Sequence, residues 1–251
     1  MGTSDLATVR RNLAAVRERI ERAVERAGRQ AEDVLLIGVS KTVEAERVRL
    51  GVEAGLPALG ENRVQEAKEK IKILGRPVPW HLIGHLQTNK VRDALELFDL
   101  IHSLDRLELA REIERRAGDR GRVVETLLEV NVADEPSKGG FAPNALGPAL
   151  EAIGGMSHVH VRGLMAIPPI VERADDSRRW FQALRRLAER HGLKELSMGM
   201  SADFEVAIEE GATMVRVGTA IFGPRAAPAA AVTSPAGPPP AGSPAGRRIG
   251  A

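Results

Sequence analysis

Short apolar runs alternate with charged, helix-like segments along most of this chain of 251 residues, and this alternation limits the fold more than any other feature. Such runs predict strands buried in a parallel sheet, and the segments between them predict covering helices. We predict strands at residues 34–40, 58–60, 81–84, 100–103, 126–131, 161–166, 195–197 and 214–217. We predict helices at residues 43–54, 62–74, 87–97, 105–117, 144–154, 175–190 and 203–210.

Eight strands in alternation with helices match the number and length of a (β/α)8 barrel of the TIM type. A doubly wound open sheet has the same alternation, and hydrophobic periodicity does not distinguish the two. We favour a single α/β barrel because the eight runs nearly fill the chain without a second domain. Such a barrel places its functional residues at the carboxyl ends of the strands.

The segment before the first strand predicts an extra N-terminal helix. Its apolar residues recur at steps of three and four, and they are Leu6, Val9, Leu13, Val16, Ile20, Val24 and Ala27. The last strand is followed closely by Phe222-Gly223-Pro224, which leaves little chain for an eighth outer helix. We therefore expect the N-terminal helix to cover the gap in the helical layer.

The final part of the chain differs in composition from the rest. From about Ala226 to Ala251 it becomes rich in Ala, Pro, Gly and Ser, with three consecutive prolines at 238–240. Such a segment buries too little apolar surface to offset the entropy of ordering its backbone. We predict a barrel domain at residues 1–225 and a disordered Ala/Pro/Gly-rich tail at residues 226–251.

Charge balance and missing residue types narrow the class of function. Lys and Arg number 36 and Asp and Glu number 34, and this near balance gives no indication of nucleic-acid binding. The absence of Cys excludes disulfides, a thiol nucleophile and cysteine-ligated metal sites. No apolar stretch approaches the length of a membrane span, and the first thirty residues carry charges throughout. We expect a cytoplasmic protein that binds neither nucleic acid nor membrane.

One lysine stands where the first predicted strand ends. Lys41 follows the apolar run at 34–40, and a helix is predicted to begin soon after it. An isolated lysine at a strand end is most often a surface residue, but the carboxyl end of a fully buried barrel strand faces the site. A desolvated amine attacks carbonyl groups and forms a Schiff base. We therefore select Lys41 as the candidate nucleophile.

A second group of candidate residues lies near the last two strands. Arg216, Gly218 and Thr219 combine a cation, a position where the backbone approaches a ligand closely, and a hydroxyl donor, as phosphate sites do. Ser201 is a further phosphate donor, and it also fits the N-cap of the helix after it. A glycine turn with a surface arginine is the alternative interpretation. An amine and a phosphate site at one barrel face suggest pyridoxal 5′-phosphate.

Ordered motifs along residues 5–223 resemble one known family. They include Gly38-Val39-Ser40-Lys41-Thr42, Gly60-Glu61-Asn62-Arg63 and its continuation to residue 66, and the segments 80–90, 137–141, 163–167, 196–204 and 216–223. The chain resembles the pyridoxal phosphate homeostasis proteins, which are single-domain relatives of the N-terminal barrel of bacterial alanine racemase. The resemblance implies the same barrel, with pyridoxal 5′-phosphate as cofactor.

The resemblance also implies roles for single residues. Lys41 would carry the cofactor as a Schiff base, and the backbone around Gly218 and Thr219 would line the phosphate pocket. Arg216 would face the pyridine nitrogen, and an arginine cannot take up a proton from it, so the ring remains a weak electron sink. Asn62 would contact the ring, although it also fits a helix N-cap. Lys138, in a loop after the fifth strand, is a possible second amine or a solvated lysine.

These roles favour a protein that buffers, protects or delivers the cofactor rather than one with robust catalytic activity. The alternative is an amino-acid racemase of the alanine racemase type. Alanine racemase uses a tyrosine from its partner subunit as second base, and this sequence contains no tyrosine. A third class, a phosphate-binding barrel that acts on sugars or nucleotides, leaves Lys41 unexplained. The natural counterparts of a carrier are apoenzymes that need the cofactor and free amino acids, and a monomer is expected.

A metal site is the last candidate. His81 and His85 show a His-x3-His spacing, which places two imidazoles on one face of a helix. Here a predicted strand occupies that position, and no third ligand is evident. We therefore expect core or rim histidines and no metal.

Overall fold

A computed structural model describes residues 3–135 and 138–224. Eight strands form a closed barrel in which every neighbouring pair is parallel and β8 pairs with β1. The strands are β1 Leu35–Val39, β2 Ala58–Glu61, β3 Trp80–Leu82, β4 Leu100–Leu104, β5 Val124–Glu129, β6 Val159–Met165, β7 Glu195–Met200 and β8 Met214–Val217. The closed order confirms the predicted barrel and excludes the open doubly wound sheet.

The helices surround this barrel. They are α1 Thr3–Arg26, α2 Ala45–Glu53, α3 Val64–Leu74, α4 Val91–Leu97, α5 Leu107–Gly118, α6 Leu146–Gly154, α7 Arg178–Arg190, α8 Phe204–Glu209 and α9 Thr219–Phe222. Three α-helices begin later than predicted because a short 3-10 turn precedes each of them, at Thr88–Lys90, Pro143–Ala145 and Ala174–Ser177. Such turns are frequent at helix starts, and their sequence pattern merges with that of the helix.

The N-terminal helix α1 fills the place that the short α9 leaves open. It packs against α2, α8 and α9. The apolar side chains that face these helices are fully or almost fully buried, and they include Val9, Leu13, Val16, Ile20 and Val24. The expected cover for the gap in the helical layer is therefore confirmed, and α9 is an element that the sequence did not predict.

The barrel interior changes from apolar to polar along the strands. One apolar layer consists of Ile37, Ala58, Leu100, Leu127, Met165 and Met214. Alternate residues of a strand point to the same face, so His102 follows Leu100 and Arg216 follows Met214 into the interior. These polar side chains are buried and lie nearer the carboxyl ends of the strands. The barrel thus presents polar chemistry at the end where a site is expected.

The longest helix, α1, has 24 residues and carries charged side chains along its length. Over residues 3–135 and 138–224, no helix has both the length and the apolar character that a bilayer crossing requires. The predicted disordered tail at 226–251 lies outside the described residues.

Candidate functional site

A cavity of about 550 Å³ opens at the carboxyl ends of the strands. Its walls come from the segments that follow β1, β2, β3, β6, β7 and β8, together with Arg47 on α2 and Arg216 on β8. All six residues that the sequence predicted for a site line this one cavity: Lys41, Asn62, Ser201, Arg216, Gly218 and Thr219. The barrel brings them together because parallel strands end at the same rim.

Lys41 lies two residues beyond the end of β1 and is half-buried. The next residue, Thr42, has a φ of 61°, in the left-handed region that a β-branched residue rarely adopts. This conformation turns the chain sharply away from the strand, and its backbone N–H donates to Glu66 Oε1 at 2.5 Å. Strained backbone of this kind persists where surrounding contacts hold it, and it concentrates at functional sites.

Two adjacent turns beside the cavity carry unused backbone donors, and Ser201, Ala202 and Thr219 of these turns line the cavity wall. The amides of Ser201, Ala202, Thr219 and Ala220 donate to no acceptor among the residues that the structure describes. The Gly218 amide donates to the Ser201 hydroxyl oxygen at 3.3 Å and joins the two turns. Consecutive free N–H groups form a concave anion site. The arrangement therefore suits a phosphate group.

The helix cap beside this site differs from the sequence-based expectation. The N-cap of α8 is Asp203 rather than Ser201, and the Met200 amide donates to its carboxylate at 2.7 Å. The Ser201 hydroxyl is therefore not occupied as a cap. In the same way Arg63, not Asn62, is the N-cap of α3. Both residues keep their side chains available to a ligand.

Arg216 lies at the base of the cavity and is only 3% exposed. Its Nη1 donates to Ser197 Oγ at 2.5 Å, and its Nη2 donates to the carbonyl oxygen of Ala166 at 2.9 Å. Burial lowers the pKa of Arg216 to about 10, and Glu129 partly opposes this shift. The guanidinium remains charged at neutral pH and serves as a fixed donor.

Two histidines extend the contacts of Arg216 into the barrel. His102 Nδ1 lies 2.8 Å from Ser197 Oγ, and His102 Nε2 lies 2.9 Å from His81 Nδ1. Burial lowers the pKa of His81 to about 4 and holds the pKa of His102 well below its ordinary value. The sequence predicted His81 as a core or rim histidine, and the structure buries it, whereas His102 and Ser197 were not among the predicted site residues.

Asn62 carries an unpaired acceptor at the cavity. Its Oδ1 is buried and has no hydrogen-bond partner among the described residues. A buried carbonyl oxygen without a donor is unfavourable, so a ligand with a hydroxyl or N–H group fits this position. Gly84 allows Asn62 to lie there, because a Cβ at residue 84 would stand 2.5 Å from the Asn62 carbonyl oxygen.

The other candidate residues do not line the cavity, although Lys138 Nζ also donates to the carbonyl oxygen of Ile167, a residue of the cavity wall, at 3.4 Å. Lys138 Nζ donates to Glu135 Oε1 at 2.8 Å and does not line the cavity wall. His85 Nδ1 lies 2.9 Å from Asp105 Oδ2, while His81 bonds to His102. Within the described part of the chain, no three His, Cys, Asp or Glu residues are grouped as metal ligands.

Comparison with known proteins assigns the family. Residues 11–226 match the model of the alanine racemase N-terminal domain. The pyridoxal phosphate homeostasis protein of Aquifex aeolicus is 48% identical over 220 residues, which cover 85% of this chain and 96% of that protein.

Two solved structures extend the comparison. PipY of Synechococcus elongatus, in a structure with pyridoxal phosphate bound, is 37% identical with a TM-score of 0.74, and the match covers 86% of this chain and 100% of PipY. An alanine racemase of Clostridium difficile is 15% identical with a TM-score of 0.66, and the match covers 86% of this chain and 55% of the racemase. At that identity the likeness shows the fold alone. The extent and identity of these matches show that the chain belongs to the pyridoxal phosphate homeostasis protein family.

Proposed function

We propose that this protein binds pyridoxal 5′-phosphate and carries it as a Schiff base with Lys41, so that the cofactor is buffered and delivered within the cell. The observation that carries the proposal is the convergence of Lys41, Arg216 and the two donor turns on one cavity. A reactive aldehyde held on a lysine is protected from other amines and remains exchangeable. The cofactor would supply that aldehyde as the electrophile.

The residues present fit the parts of this molecule. The free amides at Ser201, Ala202, Thr219 and Ala220 suit the phosphate. The Arg216 guanidinium is a donor that suits an unprotonated ring nitrogen. The unpaired Oδ1 of Asn62 would accept from the ring hydroxyl. The Lys41 amine would attack the aldehyde carbon and release water.

A carrier fits the cavity better than a racemase does. Racemisation by two bases needs a second acid or base opposite the lysine, and the sequence contains no tyrosine. Arg216 remains protonated and does not stabilise a carbanion as a carboxylate at the ring nitrogen would. Glu44, a carboxylate of the cavity wall, is exposed to solvent. We therefore propose no robust catalytic activity.

The proposal includes a cytoplasmic monomer whose counterparts are apoenzymes and free amino acids. Light scattering of the purified protein at several concentrations tests this part. A mass of two chains at every concentration would contradict it.

Spectroscopic titration with pyridoxal 5′-phosphate tests the central claim. The wild type should develop the visible absorbance band of an imine, and Lys41→Ala should not. Lys138→Ala is the matched control and should retain the band. Borohydride reduction followed by peptide mapping should place the adduct on Lys41, and an adduct on Lys138 would refute the assignment.

Incubation of the loaded protein with single-enantiomer amino acids tests the alternative. A carrier leaves the enantiomer unchanged in chiral analysis. Sustained production of the opposite enantiomer would establish a racemase and overturn the carrier proposal.

A further inference from the structure

A buried ionic cluster contacts the backbone beside Lys41. Lys70 on α3 has a side chain that is 8% exposed, and its Nζ donates to three oxygen atoms. These are the carbonyl oxygen of Ser40 at 2.5 Å, Glu61 Oε1 at 2.5 Å and Glu66 Oε1 at 2.8 Å. An ammonium group has three hydrogens, so all donors of Lys70 are in use. We call Ser40, Glu61, Glu66 and Lys70 the Lys70 cluster.

The cluster holds the chain on both sides of Lys41. The Ser40 carbonyl belongs to the peptide group before Lys41, and Lys70 donates to it. The Thr42 N–H belongs to the peptide group after Lys41, and it donates to Glu66 Oε1 at 2.5 Å. Thr42 has a φ of 61°, a conformation that needs such support. Both peptide planes that flank the candidate nucleophile are thus tied to one pair of charged side chains.

Glu61 completes the cluster from the neighbouring strand. It is the last residue of β2, is fully buried, and accepts from the Ser40 hydroxyl at 2.7 Å. Burial raises the pKa of Glu61, and the charge of Lys70 opposes this shift. Removal of one partner would leave a buried charge uncompensated. The cluster therefore connects the end of β1, the end of β2 and α3 as one unit.

A role in stability alone does not account for this arrangement. Buried ion pairs can often be replaced by apolar residues with no loss of stability. Here two of the hydrogen bonds are made to the peptide groups on either side of one lysine. A reacting amine must approach a carbonyl carbon in a narrow geometry, and displacement by about 1 Å slows such reactions by about 100-fold.

We propose that Lys70 is a positioning residue that, through Ser40 and Glu66, fixes the Lys41 backbone so that the Lys41 amine meets the cofactor aldehyde. This inference rests on the proposed function. Lys70 itself does not compete for the aldehyde, since its own hydrogens are all donated to oxygens of Ser40, Glu61 and Glu66. The bond that forms joins Lys41 Nζ to the aldehyde carbon, and the aldehyde oxygen leaves as water.

Two variants remove, in different ways, the hydrogen bonds that hold the backbone beside Lys41. Glu66→Ala removes the acceptor for the Thr42 N–H, and the Glu66 side chain is 26% exposed, so the variant should fold. The double variant Lys70→Met/Glu61→Gln removes the ion pair without leaving a lone buried charge. Lys72→Met is the matched control, because Lys72 is exposed on the same helix.

Two measurements distinguish a loss of Lys41 positioning from damage to the whole cavity. The first is the rate at which the imine band develops after mixing with pyridoxal 5′-phosphate. The second is the calorimetric affinity for pyridoxine 5′-phosphate, which has an alcohol in place of the aldehyde and forms no imine. We expect both variants to form the imine about 10-fold to 100-fold more slowly. Their affinity for pyridoxine 5′-phosphate should equal that of the wild type and of Lys72→Met.

Each outcome decides the inference. A slower imine reaction with unchanged pyridoxine 5′-phosphate affinity supports it. Wild-type rates in both variants overturn it, and so do parallel losses of rate and affinity, because these indicate damage to the whole cavity. If the wild type forms its adduct on a residue other than Lys41, the proposed function fails as well. If the adduct is on Lys41 and the variants react normally, only the positioning role fails.

Discussion

Arg216 donates a hydrogen bond from Nη1 to the hydroxyl oxygen of Ser197 across 2.5 Å, and this bond begins a buried relay that continues through His102 to His81. Arginine only donates, so the Ser197 oxygen accepts this bond and the Ser197 hydrogen remains available to His102 Nδ1. In the tautomer of His102 that accepts at Nδ1, the hydrogen on Nε2 is donated to His81 Nδ1. The relay requires both histidines to be neutral, in agreement with their lowered pKa values.

Substitution Ser197→Ala should destabilise the protein more than an ordinary buried serine substitution. It leaves one N–H of Arg216 and Nδ1 of His102 without partners in the interior, which should lower the free energy of unfolding by about 3 kcal/mol. The control is Ser103→Ala, because Ser103 is buried but bonds only to the Gly84 carbonyl, and its loss should cost about 1 kcal/mol. Urea unfolding measures both values. Equal losses would show that Ser197 is not part of a coupled relay.

Acid should weaken the fold partly through His81. The pKa of His81 is lowered from 6.5 to about 4 by burial, so between these values the unfolded chain binds a proton that the folded protein does not. This contribution of His81 to the free energy of unfolding is complete above pH 6.5, decreases as the pH falls below 6.5 and is lost as the pH falls through 4. It amounts to about 3 kcal/mol, and His102 acts in the same direction.

The variant His81→Asn should therefore show a shallower loss of stability between pH 6.5 and 4 than the wild type. Denaturant unfolding at several pH values in this window measures the slope. His191→Asn, which removes a partly exposed histidine at the end of α7, is the control and should keep the wild-type slope. An unchanged slope in His81→Asn would show that folding does not lower the pKa of His81.

The sequence predicted the strands because short apolar runs alternate with charged helical segments, and every predicted strand lies within three residues of an observed one. It favoured the barrel over an open sheet because eight such runs nearly fill the chain without a second domain. It did not predict α9, since four residues are only about one helical turn. The cavity residues were predictable from the topology of the barrel. A parallel barrel places all carboxyl strand ends at one rim, so polar residues just beyond apolar runs are natural candidates.

The relay from Arg216 to His81 and the Lys70 cluster could not be predicted from the sequence. His102 and Ser197 are 95 residues apart, and only the closed sheet brings them into contact. Lys70 lies in a charged helical pattern, where a lysine usually faces solvent. The spacing of Glu66 and Lys70 by four residues was the one available signal.

Substitution Gly84→Ala should disturb the cavity through Asn62. A Cβ at residue 84 would lie 2.5 Å from the carbonyl oxygen of Asn62 and 2.7 Å from its Cα, so the Asn62 backbone must move. We expect a loss of about 2–3 kcal/mol in the free energy of unfolding and weaker binding of pyridoxal 5′-phosphate. Gly154→Ala is the control, because nothing lies within 4 Å of its added Cβ. Unchanged cofactor affinity in a folded Gly84→Ala protein would exclude Asn62 from the binding site.

Substitution Ser201→Ala should weaken the hold on the phosphate alone. The Ser201 hydroxyl oxygen accepts from the Gly218 amide, so its hydrogen is available to a phosphate oxygen. Loss of one such bond to a charged group should lower the affinity for pyridoxal 5′-phosphate by about 10-fold, or about 1.4 kcal/mol. Pyridoxal, which lacks the phosphate, is the matched ligand, and its affinity should be the same in variant and wild type. Ser157→Ala, at an exposed serine, should change neither affinity. Equal weakening for both ligands would indicate that Ser201 supports the shape of the turn rather than the phosphate.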